Sequence, residues 1–113
     1  MTIEQLKSAY EAHYQKFATD IFFSPGRVNL IGEHTDYNGG FVFPCALSFG
    51  TYLLIAANNE NKINFCSLNV EATYSLALDE LTKPMPDKAW ANYPLGVLAQ
   101  FIKIIGCLCL VNL

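Results

Sequence analysis

From Phe41 to Ala57 the chain runs for seventeen residues without a charge. A spanning helix needs ~20 apolar residues, but Pro44, Ser48, Gly50 and Thr51 interrupt this stretch, and its wealth of Phe, Tyr and β-branched residues suits buried strands. Ser48-Phe49-Gly50 predicts a break between two of them, Phe41 to Leu47 and Thr51 to Ala57. Asn58 to Asn61 then turns the chain into Lys62 to Ser67 and Glu71 to Leu78, so four strands in succession are expected. Upstream, Thr2 and Gln5 form a capping-box pattern, and Leu6, Tyr10, His13 and Phe17 recur on one face of an opening amphipathic helix. Asp20 to Ser24 is a short aromatic strand that Ser24-Pro25-Gly26 breaks. Downstream, Asp79 to Lys83 suits a helical turn, and Pro84-Met85-Pro86 makes a rigid connector. A helix then runs through Trp90 to about Ile105, with Pro94 forcing either a kink or a true start near Asn92.

Such a chain, of 113 residues, is one small domain or a piece of a larger one. Hydrophobic residues make up 52% and charged residues only 15%, against about 25% charged in a typical soluble domain. Core material is in excess, which excludes disorder and points to an incomplete domain. The net charge is -3 and Arg27 is the only arginine, so no basic face exists for nucleic acid. Met1 to Asp20 lacks the basic and apolar regions of a signal peptide. The second stretch near membrane length, Leu95 to Leu113, carries Gln100 and Lys103 in its middle, a costly place for a charge in lipid. Cys45, Cys66, Cys107 and Cys109 form no C-x-x-C pair and have no histidine at zinc spacing, so free thiols in a reducing cytoplasm are expected.

The chemistry gathers elsewhere. Between Gly26 and Gly40 lie the only arginine, two carboxylates, a histidine and four glycines. Carboxylates at Glu33 and Asp36 can each accept two or more hydrogen bonds from hydroxyl groups, His34 can donate or accept, and the Arg27 guanidinium can stabilise charge on a phosphoryl group. That mixture suits a neutral polyhydroxylated ligand. By residue type alone the segment reads equally as a polar turn with solvated carboxylates, in which Asp36 caps the turn before Asn38-Gly39-Gly40. A Walker A loop is excluded, because five residues separate Gly26 from Gly32 and no Lys follows Gly32. No second histidine completes a zinc helix from Glu33-His34.

The string Ser24-Pro25-Gly26-Arg27-Val28-Asn29-Leu30-Ile31-Gly32-Glu33-His34-Thr35-Asp36-Tyr37-Asn38-Gly39-Gly40 resembles the signature of the galactokinase family, within the GHMP small-molecule kinases that also include homoserine and mevalonate kinases. Val42-Phe43-Pro44-Cys45-Ala46, and Trp90-Ala91-Asn92-Tyr93 followed by Gly96-Val97, are similar to family segments in the same order. The resemblance runs from about residue 20 to about residue 103. It implies an α+β fold, a mixed β-sheet with packed helices similar to part of the GHMP N-terminal domain (ribosomal protein S5 domain 2-like). On this reading the chain, 1–113, is a single partial domain at the N-terminal end of a longer enzyme. Ile104 to Leu113, with eight apolar residues in ten, no longer resembles the family and reads as a divergent or frameshifted tail.

What the resemblance implies is ATP-dependent phosphorylation of the anomeric hydroxyl of galactose in the cytoplasm, with ATP and Mg2+ as cofactors, galactose and ATP as ligands, and neither nucleic acid nor membrane as partner. Glu33, His34 and Asp36, with Thr35 inside the same stretch, would hold the sugar hydroxyls, and Arg27 would stabilise the transition state. Ser67 falls where relatives carry a nucleotide-contacting serine. Trp90 could flank the adenine, although a lone Trp on an apolar helix face is more often core. The family's Gly- and Ser-rich phosphate loop, catalytic aspartate and magnesium ligands have no counterpart here, so the isolated chain is expected to be inactive. A sugar-binding module without catalysis and a product without function are the rival readings.

Overall fold

The computed structural model describes residues 1–81, 90–105 and 111–112. The connector Pro84-Met85-Pro86 and most of the tail, with Cys107 and Cys109, lie outside the described residues. The chain divides into two units, Met1–Asp20 with Leu54–Leu113, and Ile21–Leu53.

In the first unit the capping box forms as the sequence predicts. Thr2 Oγ1 accepts from the Gln5 amide at 3.3 Å and Gln5 Oε1 accepts from the Thr2 amide at 2.8 Å, which satisfies two of the donors a helix start leaves orphaned. Helix α1 therefore runs Ile3–Tyr14. It ends at Gln15, whose backbone is left-handed (φ 53°) and whose amide donates to the Glu11 carbonyl at 2.8 Å. Phe17, expected on the helical face, lies beyond that cap and is 74% exposed. Tyr10 is buried and stacks on Tyr14 with ring centroids 4.7 Å apart. Burial raises the Tyr14 phenol well above its ordinary value, and Cys66 and Tyr10 beside it add to the rise.

Strand β3 (Lys62–Ser67) takes the boundaries its sequence predicts, and β4 (Ala72–Ala77) returns antiparallel to it after a left-handed Glu71 (φ 50°). Their register places Ile63 opposite Leu76 and Phe65 opposite Tyr74 on one face, and Asn64 opposite Ser75 on the other. The second pair is joined by the Ser75 hydroxyl donating to Asn64 Oδ1 at 2.7 Å, so the strands alternate apolar against polar as a half-covered sheet requires. Leu78–Glu80 forms a 3-10 turn.

Helix α3 runs Asn92–Ile105, so of the two outcomes open at Pro94 the structure takes the start near Asn92. Pro94 then stands in the first turn, where its missing N–H removes no intrahelical bond. Ile63, Phe65, Leu76, Leu81, Ala91 and Leu95 close into the core, with Tyr74, Trp90 and Leu98 packed against it. The end of strand β2 (Pro44–Ala57) belongs to this unit and pairs with β5 (Val111–Asn112), which lies between it and β3, antiparallel to β2 and parallel to β3. No helix among the described residues is long and apolar enough to cross a membrane.

In the second unit two expectations are corrected. Strand β1 spans Asp20–Asn29 and passes straight through Pro25-Gly26, and β2 spans Pro44–Ala57 without a break at Ser48-Phe49-Gly50. The glycines are there for closeness rather than for turning. A Cβ on Gly50 would lie 2.0 Å from the Ser24 carbonyl oxygen and 2.7 Å from Pro25 Cα, and one on Gly26 would lie 3.0 Å from the Phe49 carbonyl oxygen. Pro25 is tolerated because β1 stands at the edge of the ladder, where a missing donor is not needed.

Candidate functional site

The loop between β1 and β2 contains every residue of the Gly-Glu-His-Thr-Asp string. Gly32 enters it in the left-handed region (φ 106°), where a Cβ would lie 2.6 Å from the Phe41 carbonyl oxygen; only glycine meets both demands. Helix α2 follows as a single turn, Glu33–Asp36, closed by the Asp36 amide donating to the Gly32 carbonyl at 3.0 Å. Thr35 is the knot of the loop. Its hydroxyl stands 3.0 Å from the Gly32 carbonyl oxygen and 2.8 Å from that of Phe41, so its one proton is shared between the two ends of the turn. The Thr35 carbonyl in turn accepts from Gly40 at 2.7 Å and Asn38 at 3.2 Å. At the base, the Phe43 amide points at both the Ile31 carbonyl (3.0 Å) and Asn29 Oδ1 (3.1 Å).

Of the groups singled out for ligand chemistry, Thr35 builds that framework and three others take no part in it. Among the described residues, the side chains of Arg27, Glu33 and Asp36 make no hydrogen bond or ion pair with the protein, and all three are exposed. The turn before Gly40 is closed by the backbone carbonyls of Thr35 and Asp36, so the Asp36 carboxylate does not cap it. His34 is oriented from two sides. Its Nδ1 lies 2.7 Å from the Tyr37 hydroxyl, with the rings edge-to-face at 87°, and its carbonyl accepts from Asn38 Nδ2 at 2.8 Å. A partner at Nδ1 selects the ring tautomer and so decides what Nε2 offers a ligand. The roles of Tyr37, Asn38 and Asn29 escape a reading by residue type, because polar residues beside glycines resemble ordinary turn formers; the i to i+3 spacing of His34 and Tyr37 is the one local signal.

Ser67 and Trp90 belong to the other unit. Ser67 ends β3 opposite Ala72 and is half-buried. The Trp90 ring contacts Phe65 edge-on and Tyr74 at a tilt, with centroids 6.5 and 5.6 Å away, while its buried Nε1–H has no hydrogen-bond partner among the described residues. No three His, Cys, Asp or Glu side chains converge on a possible metal position among the described residues. Cys45 and Cys66 are free thiols.

The fold has known counterparts. The Lactococcus lactis galactokinase, solved in complex with galactose, superposes with a TM-score of 0.80 at 32% identity, over 99% of this chain and 31% of that one. The Methanococcus jannaschii mevalonate kinase superposes with a TM-score of 0.68 at 19% identity over 82% of this chain, a likeness of fold. The architecture is that of the GHMP small-molecule kinases. Residues 8–57 match the model of the galactokinase galactose-binding signature. The galactokinase of Clostridium acetobutylicum is 51% identical over 105 residues and that of Bacillus subtilis 46% identical over 101 residues. The chain belongs to the galactokinase family. It spans about a quarter of the length of these curated relatives, 26% in each case.

Proposed function

We propose that this chain carries the sugar-recognition part of a cytoplasmic galactokinase, an enzyme that phosphorylates the anomeric hydroxyl of galactose with ATP to give galactose 1-phosphate. The observation that carries the reading is the division of labour in the loop. Gly32, Thr35, Asn38 and Gly40 hold its shape, and Glu33, Asp36 and Arg27 are left free of protein partners among the described residues. Free carboxylates on a rigid turn accept hydrogen bonds from sugar hydroxyls without first surrendering bonds of their own. His34 adds a neighbouring donor or acceptor, and Thr35 keeps its lone pairs for the sugar. Galactose against N-acetylgalactosamine is a difference at one sugar carbon, and nothing in the loop chooses between them.

Arg27 is the group for charge that develops during transfer. Phosphoryl transfer needs positioning and electrostatic stabilisation more than covalent help, and Arg27, carried on strand β1 with its guanidinium unengaged, supplies a cation. Ser67 and Trp90 are the chain's candidate ATP contacts; the case for Trp90 rests on its unpartnered indole N–H, since its ring is already packed in the core. ATP supplies the phosphoryl group, and magnesium would neutralise its charge. Among the described residues no three His, Cys, Asp or Glu side chains gather at a metal position. With no counterpart of the family's phosphate loop and catalytic aspartate in these 113 residues, the isolated chain is expected to bind without turnover.

Titration calorimetry with galactose tests the proposal. Asp36→Ala is expected to weaken binding by about ten- to a hundredfold, the cost of ~1.5 to 3 kcal/mol for losing a charged acceptor. Unaltered affinity would sink the assignment of Asp36. Galactose binding without any galactose 1-phosphate formed in a full-length context would instead favour a non-catalytic sugar-binding module.

A further inference from the structure

Asn38 is the only asparagine of the chain that glycine follows, and it sits in the turn that presents Glu33, His34 and Asp36. Its side-chain amide donates to the His34 carbonyl at 2.8 Å, and its backbone amide to the Thr35 carbonyl at 3.2 Å. Gly39 belongs to the same framework. Its amide donates to the Asp36 carbonyl at 3.2 Å, at the long end for such a bond. Both residues are exposed, and nothing lies within 4 Å of the place a Gly39 Cβ would take.

The side-chain amide of asparagine is chemically labile, and the nucleophile nearest to it is the backbone nitrogen of the residue that follows. A side chain on that residue crowds the approach, and glycine has none. Once its proton has passed to solvent, the Gly39 nitrogen attacks Asn38 Cγ; the N–Cγ bond forms, the Cγ–Nδ2 bond breaks, and Nδ2 leaves as ammonia with a proton from water. A five-membered succinimide remains. Water then adds to one of the two ring carbonyls and the bond from that carbon to nitrogen breaks, which gives isoaspartate or aspartate according to the carbonyl attacked. Nothing is oxidised or reduced. In the closed turn the Gly39 proton is engaged by Asp36 and Nδ2 by His34, so the reaction starts from a locally opened turn.

We propose that Asn38 is a site of spontaneous deamidation, gated by opening of the turn, and that its conversion disarms the sugar loop. The new carboxylate has no N–H to give the His34 carbonyl, so two acceptors face each other where a bond stood. It also adds a third negative charge beside Glu33 and Asp36. Isoaspartate further lengthens the backbone by one methylene, directly before the Gly39 and Gly40 amides that close the turn. The effect on galactose rests on the sugar-binding reading; the modification and its effect on the turn do not.

The full 113-residue chain is incubated in neutral buffer at physiological temperature. Conversion at each asparagine is followed by peptide mass spectrometry, and isoaspartate by enzymatic methylation. Asn38 is expected to convert well ahead of Asn61, which is also exposed but precedes lysine. Thr35→Val, which removes the hydroxyl clamp, should speed the conversion by about two- to tenfold. Asn38→Asp, a stand-in for one product, should hasten hydrogen exchange at the Asp36 amide and weaken galactose binding by about tenfold. An Asn38 that stays intact, or converts no sooner than Asn61, overturns the site. An unchanged rate in Thr35→Val overturns the gating, and exchange at Asp36 equal to the parent in Asn38→Asp overturns the disarming. If the parent chain binds no galactose, the sugar reading fails, while mass and exchange still decide this inference.

Discussion

Gly40 lies so close to Thr35 that its amide donates to the Thr35 carbonyl at 2.7 Å, and a methyl group on Gly40 would reach Thr35 Cβ at the same 2.7 Å. The loop that presents Glu33, His34 and Asp36 is closed by that contact and by the Thr35 hydroxyl across its mouth. Gly40→Ala is therefore expected to open the turn at a cost of about 1–3 kcal/mol. Thr35→Val, which keeps the shape and deletes the shared proton, should cost about 0.5–1.5 kcal/mol. Hydrogen exchange at the Gly40 amide measures both; protection equal to the parent in Gly40→Ala would refute the closure described.

Gly50→Ala should be the more damaging change in the strands. Its Cβ would fall 2.0 Å from a backbone oxygen of β1, and a backbone atom cannot swing aside as a side chain can. The expected loss is about 2–3 kcal/mol, seen as a lowered melting temperature. Gly39→Ala makes a useful contrast, because nothing lies within 4 Å of its Cβ and only its positive φ (73°) resists the change; a Gly39→Ala loss larger than that of Gly50→Ala would count against the close approach.

Tyr14 gives the fold an alkaline limit. Its phenol titrates near 10.0 in an unperturbed chain and higher when folded, chiefly through burial. The folded state thus keeps a proton that the unfolded state releases. Stability from this group is whole below pH 10 and declines as pH climbs from there toward the raised folded value. Denaturation midpoints across pH 9 to 11.5 should fall less steeply in Tyr14→Phe than in the parent; identical slopes would remove Tyr14 as the cause.

Arg27→Ala, tested in a full-length galactokinase carrying this segment, should lower kcat far more than it changes sugar affinity, because the cation acts on charge present only during transfer. An unchanged kcat with a raised KM for galactose would reassign Arg27 to ground-state binding.

Tyr37→Phe removes the hydroxyl that holds His34 Nδ1. Nitrogen chemical shifts of the imidazole are expected to move toward a mixture of both neutral tautomers, with a weakening of galactose binding by about tenfold or less. A tautomer ratio that ignores the substitution would show that the contact orients nothing.

What could be read from the sequence was what short-range physics decides. The Thr2 and Gln5 box and the limits of β3 depend on residues within a turn of one another, and so does the choice that Pro94 left open between a kink and a start of α3 near Asn92. The Glu33 to Asp36 cluster stood out because charge is scarce elsewhere in the chain. Ser48-Phe49-Gly50 misled because a glycine that permits close approach across two strands looks, along the chain, like one that makes a turn. Phe17 fitted the helical period, but the left-handed Gln15 ends the helix before it. The hold of Tyr37 on His34 was hidden for another reason: which side chain faces a histidine nitrogen is settled by the turn's geometry and not by composition.

β5 has a consequence for the order in which the first unit can be built. Strands β2 and β3 are consecutive in sequence and joined through the short turn at Asn58–Asn61, the usual arrangement for a hairpin that closes at once. Here Asn112 sits between them, level with Ala56 on one side and Asn64 on the other. The place between the two strands must stay open until the end of the described chain arrives. On a ribosome emitting residues in order, the β2 to β3 neighbourhood would be the last part of the unit to settle, while β3 with β4 could pair as soon as both had emerged.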